Sequence, residues 1–300
     1  MRNMPLKYRV RNYLRMLGVE AVPVGPNSNL LAMHLRSLFP AYGISCVLDV
    51  GAQIGDYGLW LRRNGYRGDI VSFEPVRANF ERLARVSAGD PSWHCVNYAL
   101  GAENKVASIN VSLLTQFSSF RTPNSAARDI FGEAPAVQRS EEVEIRRLDT
   151  VLDTLPVNGR RDRTYLKLDT QGWDLEVLAG AQGILDRIIA LQTEVAVQPI
   201  YAAMPMMADS LAAIAERGFA PSGFFPVNLD QRSVLVELDV VAVRPAACAS
   251  DGGPAHPADL MALADGTGAR QRPTPGSSWL SSAARIRLAR RPRRGHRCEP

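Results

Sequence analysis

From Cys46 to Arg244, short apolar runs alternate with stretches of helical spacing. Runs at 46–50 (CVLDV), 70–74 (IVSFE), 93–100 (WHCVNYAL), 164–169 (TYLKLD) and 188–195 (IIALQTEV) read as strands. Apolar residues recurring every three or four positions predict helices over 56–64, 77–86, 174–187 and 207–217. This alternation predicts an α/β fold, a mostly parallel sheet with helices on both faces. Two further runs, 219–227 and 233–244, are joined through Asn228 to Gln231 and predict an antiparallel hairpin that closes a seven-stranded sheet. Between them, residues 103–150 carry β-rich sequence (VASINVSLL, EEVEIRRL) around a polar loop, an elaboration of the same domain.

The two ends of the chain read differently. Near the start, Leu6, Val10, Tyr13, Leu14 and Leu17 share a helical stripe with Lys7, Arg9, Arg11 and Arg15 between them. That basic amphipathic pattern suits packing on the domain and suits a lipid surface. A short helix is expected at Asn29 to Phe39, with His34 on its surface or in the core. Residues 246–300 are rich in Gly, Pro, Ser, Ala and Arg and are expected to be disordered, because burial there cannot offset the ordering entropy. The expected organisation is thus a helical segment over 1–44, a catalytic domain over 45–245 and a basic tail over 246–300.

Charge and cysteine content add little to that picture. The tail holds nine Arg against four acids, so the net charge of +5 belongs to it and residues 1–245 are balanced. No apolar run is long enough to span a membrane and the start lacks the apolar centre of a secretory signal, which makes a cytoplasmic address the expectation, with peripheral contact at the inner membrane face the variant that the basic stripe adds. Cys46, Cys95, Cys248 and Cys298 have no paired metal-type spacing, so reduced thiols and no metal site are expected.

In open parallel sheets, ligands bind beyond the carboxyl ends of the strands. There the sequence offers Asp49 and Gly51, Glu74, Asn97 and Ala99, Asp169, and Glu194. The first turn, LDVGAQIGDYG (48–58), lacks the middle glycine of a dinucleotide turn, since Gln53 stands there between Gly51 and Gly55. A ligand without phosphates fits better, and a carboxylate at the end of the second strand, Glu74, can grip both hydroxyls of a ribose. S-adenosylmethionine has that geometry, and its methionine portion is expected to pass over Gly51 and Gly55.

The combination VLDVGAQIGDYG, SFEPV (72–76), NYALG (97–101), SSF (118–120) and YLKLDTQGWDLEVLAGA (165–181) resembles the FkbM-type family of S-adenosylmethionine-dependent methyltransferases over roughly residues 45–244. The resemblance implies a class I methyltransferase (Rossmann-like) fold, S-adenosyl-L-methionine as cofactor, and O-methylation of a hydroxyl on a sugar, glycolipid or natural-product scaffold. It places Asp49, Gly51, Ala52 and Gly55 at the cofactor turn, Glu74 on the ribose, Asn97 and Ala99 beside the adenine, and Asp169 with Gln171 near the reacting end. Asp174 stands where the family often has Glu, and it is expected to cap the helix that it begins.

Methyl transfer to an alcohol needs alignment, exclusion of water and a base. His34 and His94 are the only histidines outside the tail and neither sits at a strand end, so Asp169 and Glu194 are the candidate catalytic carboxylates. Ser118 and Ser119, with Gln171, are candidate contacts to the acceptor. Trp60 and Trp173 are expected in packing, with sugar stacking open to Trp173. Two other classes are disfavoured: an NAD-dependent oxidoreductase by the absent middle glycine, and a nucleic-acid-directed or non-catalytic relative by the absence of any Pro-Pro loop and by the intact turn and Glu74.

Overall fold

A computed structural model describes Leu14 and residues 30–155, 157 and 163–245. The remainder of the basic N-terminal stripe and the 246–300 tail lie outside the described residues.

Helix α1 (Leu30–Tyr42) leads into β1 (Cys46–Val50), α2 (Asp56–Arg63), β2 (Asp69–Phe73), α3 (Arg77–Ser87) and β3 (Trp93–Val96). After an inserted lobe, β7 (Thr164–Leu168), α6 (Asp174–Gly180), β8 (Ile188–Ala196), α7 (Met207–Glu216), β9 (Ala220–Leu229) and β10 (Leu235–Val243) complete the sheet. The strand order is β3-β2-β1-β7-β8-β10-β9. β3, β2, β1, β7 and β8 run parallel, and β10 is antiparallel to both β8 and β9. This is the class I methyltransferase arrangement, with the expected hairpin at one edge.

The central strands are buried on both faces, which is why they read as nearly continuous apolar runs. Side chains alternate between two layers. Val47, Ile70 and Tyr165 pack with Leu35 and Phe39 of α1, Leu61 of α2 and Leu83 of α3, whereas Leu48, Val71, Phe73 and Leu166 pack with Val177 and Leu178 of α6 and Ile214 of α7. Helices therefore cover both faces.

Two elements depart from the sequence reading. The run 93–100 is not one strand: β3 ends at Val96, and β4 (Ala99–Leu100) joins a second sheet of order β4-β6-β5, with β5 Lys105–Ser112 and β6 Val137–Arg146. The break occurs because Asn97 Nδ2 donates to the carbonyls of Glu74 and Pro75, at 2.9 and 3.0 Å, and carries the chain across the strand ends. The helix over 174–187 stops at Gly180 and continues as a 3₁₀ turn, Gln182–Arg187. A Cβ at Gly180 would lie 2.0 Å from the Gly101 carbonyl oxygen, so close packing against the start of the inserted lobe fixes that position as glycine.

The lobe also holds a 3₁₀ turn (Thr115–Phe117), α4 (Ser125–Phe131) and α5 (Leu148–Val151). It lies over the carboxyl ends of β1, β2 and β7 and forms the roof of a cavity there. His34, on α1, places Nε2 3.0 Å from Ser222 Oγ on β9, a packing role. Among the described residues, no helix is long and apolar enough to cross a membrane.

Candidate functional site

The cavity is walled by Val50 to Gln53, Asp56 and Tyr57, by Phe73 to Val76, by Ala99, Leu100 and Ile109, by Thr115, Gln116 and Ser118 to Phe120, and by Lys167, Asp169 to Gln171 and Trp173. It joins the glycine turn to the end of β7 under the inserted lobe.

The glycine turn is shaped by the protein's own packing. Gly51 and Gly55 have φ of 81° and 95°, which L side chains rarely adopt. A Cβ at Gly51 would lie 2.0 Å from the Asp169 carbonyl oxygen, and one at Gly55 would meet Leu83 and Trp93. The clearance expected for a ligand is thus filled by the chain itself, and Gly55 does not line the cavity. The turn's donors are also committed: Gly51 N and Ala52 N both donate to the Phe73 carbonyl, and Gln53 N donates to Glu74 Oε2 at 2.9 Å. What the turn offers a ligand is its shape and the position that it gives Glu74. Gln53 adds a cross-cavity bond, its Nε2 donating to Thr115 Oγ1 on the roof.

Glu74 lines the cavity just past β2 and is only 5% exposed. Its Oε1 accepts from Val76 N at 2.9 Å and lies 3.4 Å from Asn79 Nδ2. Burial raises its pKa to about 7, against the lowering effect of those donors. Beside it, Val76, Ala99, Leu100 and Ile109 make an apolar slot of the kind that takes a base. Asn97 does not line the cavity but holds the Glu74 and Pro75 carbonyls, so it acts through the backbone of the Glu74 segment.

Asp49 lies beneath the turn, fully buried, and does not line the cavity. Ser72 Oγ donates to its Oδ2 at 3.0 Å, and Lys167 Nζ is 3.5 Å from its Oδ1. Burial raises the Asp49 pKa, with Lys167 opposing it. Lys167 itself is buried between Asp49 and Asp169 with its ammonium over the Tyr57 ring. Burial alone would lower its pKa, but the two carboxylates hold it above the ordinary lysine value. It is a cation fixed in the cavity wall, and the sequence reading gives it no role although it stands in the YLKLDTQGW motif. The signal was available, since Lys167 alternates with Asp169 and lies in register with Asp49 on β1.

At the far end, the loop after β7 is held in an unusual backbone form. Gln171 has φ 53° and Gly172 φ 84°. A left-handed glutamine costs on the order of 1 kcal/mol and persists where its surroundings over-determine it. Gln171 Nε2 donates to Asp169 Oδ1 at 3.0 Å and to Glu194 Oε2 at 3.1 Å. Its carbonyl accepts from Ser119 Oγ at 2.7 Å, and the Gly172 carbonyl accepts from Arg121 Nε. Asp169 Oδ2 accepts from Lys167 Nζ at 3.1 Å, while the carboxylate stays 40% exposed on the cavity wall.

The remaining expected residues fall into place around this loop. Glu194 is brought to Gln171 but does not line the cavity. Burial, then the charges of Glu237, Asp169 and Asp239, hold its pKa well above the ordinary glutamate value. Asp239 is its partner across the β8–β10 ladder. Ser119 lines the cavity, yet its hydroxyl donates to Gln171 and accepts from Arg121 N. Gln171 likewise has both amide hydrogens engaged. Of the three candidate acceptor contacts, Ser118 alone keeps a hydroxyl hydrogen uncommitted to the protein, its oxygen accepting from Ser112 N. Asp174 accepts from Thr170 N and Thr170 Oγ1, so it closes the loop upstream instead of capping the helix N–H groups. Trp173 packs on Phe120 at a centroid distance of 4.9 Å and reaches the cavity wall, whereas Trp60 stacks on Tyr57 away from it. Among the described residues, no group of three or more His, Cys, Asp or Glu is arranged to hold a metal ion.

A family model and several solved structures resemble the chain. No curated protein matches the chain by sequence. Solved structures similar to it include Aeropyrum pernix fibrillarin in complex with natively bound S-adenosyl-L-methionine, at 12% identity over 72% of this chain and 74% of that one, with a TM-score of 0.39. Magnesium protoporphyrin IX methyltransferase from Synechocystis with bound S-adenosylmethionine is similar at 10% identity, over 81% and 99% of the two chains, with a TM-score of 0.38. TehB from Haemophilus influenzae is similar at 8% identity, over 78% and 66%, with a TM-score of 0.38. The assignment rests on none of these distant likenesses. It rests on the family model of the methyltransferase FkbM domain, which matches residues 49–221, from the first strand through the Gln171 loop to the closing hairpin and over more than half of the chain. The chain therefore belongs to the FkbM family of S-adenosylmethionine-dependent methyltransferases.

Proposed function

We propose that the chain methylates a hydroxyl oxygen of an uncharged acceptor, a saccharide, glycolipid or natural-product scaffold. The observation that carries this reading is Asp169: a carboxylate on the cavity wall, ion-paired to Lys167 and steered by Gln171, with capacity left to accept a further hydrogen. An alcohol must lose its proton as it gains a methyl group, and a positioned carboxylate is a suitable recipient.

Bound S-adenosylmethionine supplies a methyl carbon activated by its sulfonium, which the acceptor oxygen takes as the carbon–sulfur bond breaks. The residues fit it: Glu74 Oε2 has one protein donor and room for a ribose hydroxyl, the Val76, Ala99, Leu100 and Ile109 slot suits the adenine, and Lys167 supplies a positive charge for the carboxylate of the amino-acid end. Asp169 then takes the acceptor's proton, with Lys167 ion-paired to its Oδ2 and Gln171 fixing its plane. Phe120 and Trp173 offer flat apolar faces to a sugar ring, and Ser118 a hydroxyl. The Asp169 carboxylate on the cavity wall would repel a phosphate or carboxylate near the reacting oxygen, which favours the uncharged acceptor.

Calorimetric titration of S-adenosylmethionine and S-adenosylhomocysteine, with NAD as control, into the full chain and Glu74→Gln tests the donor site. Binding of the first two, weakened in the variant, is expected, and binding of NAD alone would overturn the reading. A panel of methyl glycosides and glycolipids, scored by transfer of labelled methyl, then tests the acceptor class. The basic stripe before Leu17 supports peripheral contact with an anionic membrane. Vesicle sedimentation of chains with and without residues 1–18 tests it, and equal recovery in the supernatant would remove it.

A further inference from the structure

Tyr201 belongs to none of the motifs that the sequence singles out. It follows β8 on a loop, in an isolated bridge with Pro123 of the inserted lobe, and is 1% exposed. Its ring packs with Ala127, Ile200 and Val236, and its hydroxyl ends at Gln171. The oxygen lies 2.8 Å from Gln171 Oε1 and 2.9 Å from the Phe117 carbonyl oxygen. Both neighbours are acceptors, so the single hydroxyl hydrogen is shared between them in a bifurcated bond.

That donor and the two carboxyl groups across from it decide how the Gln171 amide is turned. The amide has two hydrogens on Nε2 and two carboxyl neighbours, Asp169 Oδ1 and Glu194 Oε2, and it satisfies both. A flipped amide would set Oε1 against the Asp169 carboxylate and Nε2 against the tyrosine hydroxyl. Tyr201 donating to Oε1 and the two carboxyl groups accepting from Nε2 hold the amide in one orientation together. Ser119 and Arg121 fix the backbone of the same loop through the Gln171 and Gly172 carbonyls, so the side chain has no other freedom to use. Glu194 does not line the cavity, and an amide nitrogen is a poor proton relay, so the Gln171 bridge orients Asp169 and carries no proton to Glu194.

We propose that Tyr201 is a positioning residue for methyl transfer: by donating to Gln171 Oε1, it locks the amide that aims the Asp169 carboxylate at the acceptor hydroxyl. The inference rests on the reading of Asp169 as the proton acceptor. It predicts that loss of the hydroxyl alone, with the ring retained, misdirects the carboxylate without touching the donor site at Glu74.

The test uses Tyr201→Phe, Gln171→Leu and the double variant in the full chain. In nitrogen-15 spectra, the Gln171 side-chain amide is identified by its absence in Gln171→Leu, and its hydrogen exchange is compared between the native protein and Tyr201→Phe. Exchange faster by about tenfold or more is expected in Tyr201→Phe. Calorimetric affinity for S-adenosylhomocysteine is expected to stay within about twofold, since the donor end is untouched. With an acceptor from the glycoside panel, kcat is expected to fall by about tenfold to a hundredfold while the acceptor KM stays within about threefold. The double variant is expected to be no slower than Gln171→Leu alone. Unchanged amide exchange in Tyr201→Phe, or kcat losses that multiply in the double variant, would overturn the proposal. Absence of S-adenosylhomocysteine binding in the native protein would overturn the functional reading and the proposal together, whereas unchanged exchange with that ligand bound overturns the proposal alone.

Discussion

At the donor end of the cavity, the glycine turn and Glu74 come from two short segments, Val50 to Tyr57 and Phe73 to Val76. At the acceptor end the groups come from four, spread from Phe117 to Tyr201: the roof with Ser119 and Arg121, the Asp169 to Asp174 loop, Glu194 on β8 and Tyr201 after it. The donor end is a strand end and a turn close together in sequence, with the turn's shape set by packing against the Asp169 carbonyl. The acceptor end is a polar network that exists only once the inserted lobe folds over β7 and β8. A local turn tolerates little change in its glycines, whereas a network loses function by degrees as its members are removed.

The sharpest way to break that comparison is Gly51→Ala. Its Cβ would stand 2.0 Å from a backbone carbonyl at a φ of 81°. A loss of about 3 to 5 kcal/mol in unfolding free energy is expected, measured by urea denaturation. A stable variant with normal ligand binding would mean that the turn is not set by packing on Asp169.

Asp169→Asn probes the other end. It keeps the shape of the side chain but removes its basicity, so methyl transfer is expected to fall by about 10² to 10⁴ with S-adenosylhomocysteine affinity changed only a few-fold. Retention of near-native turnover in a radiolabel assay would shift the base elsewhere.

Glu74→Gln separates the ends in the opposite sense. Loss of a charge-assisted bond to a ribose hydroxyl is expected to weaken S-adenosylhomocysteine by about tenfold to a hundredfold at pH 8, read by calorimetry, with no selective effect on acceptor KM.

The smallest effect is a pH dependence. The Glu74 carboxyl has a pKa of about 7 because of burial, and ribose hydroxyls bind best to its ionised form. Affinity is therefore expected to weaken by about tenfold between pH 8 and pH 6, and Glu74→Gln flattens that profile. The same sign governs stability. Burial raises the pKa of Glu74 and Glu237 to about 7 and that of Asp174 and Asp239 to about 6. The folded protein thus holds protons that the unfolded chain releases above about pH 4. Stability is fully present below the unfolded values and is lost as pH rises towards 7, so the ligand-free melting temperature is expected to fall from pH 4.5 to pH 7.5. A flat or rising curve by calorimetry would show that other groups dominate.

Much of the donor end was legible in advance because its signals are short-range. Glu74 stands just past a strand whose apolar run is unambiguous, and it lines the cavity. The reason assigned to the glycines was not legible. An excluded side chain in sequence does not say what excludes it, and at Gly51 that is the Asp169 carbonyl 118 residues further along. At the acceptor end, Asp169 and Glu194 were visible as strand-end carboxylates, but their roles diverge: one lines the cavity beside Lys167, and the other is shielded and hydrogen-bonded through Gln171. Ser119 and Gln171 read as acceptor contacts because polar groups in loops look free until their partners are known.

By itself the sequence determined the alternating architecture, the family, and the strand-end residues from which a site is chosen. Each follows from periodicity, turn chemistry and local spacing, which act over a few residues. Only the tertiary structure decided that Lys167 stands between Asp49 and Asp169, that the glycine turn is shaped by packing, and that Tyr201, Gln171 and Ser119 hold one another in place. Those partners are brought together by the sheet order and the inserted lobe, and hydrogen bonds are selective only at contact distance.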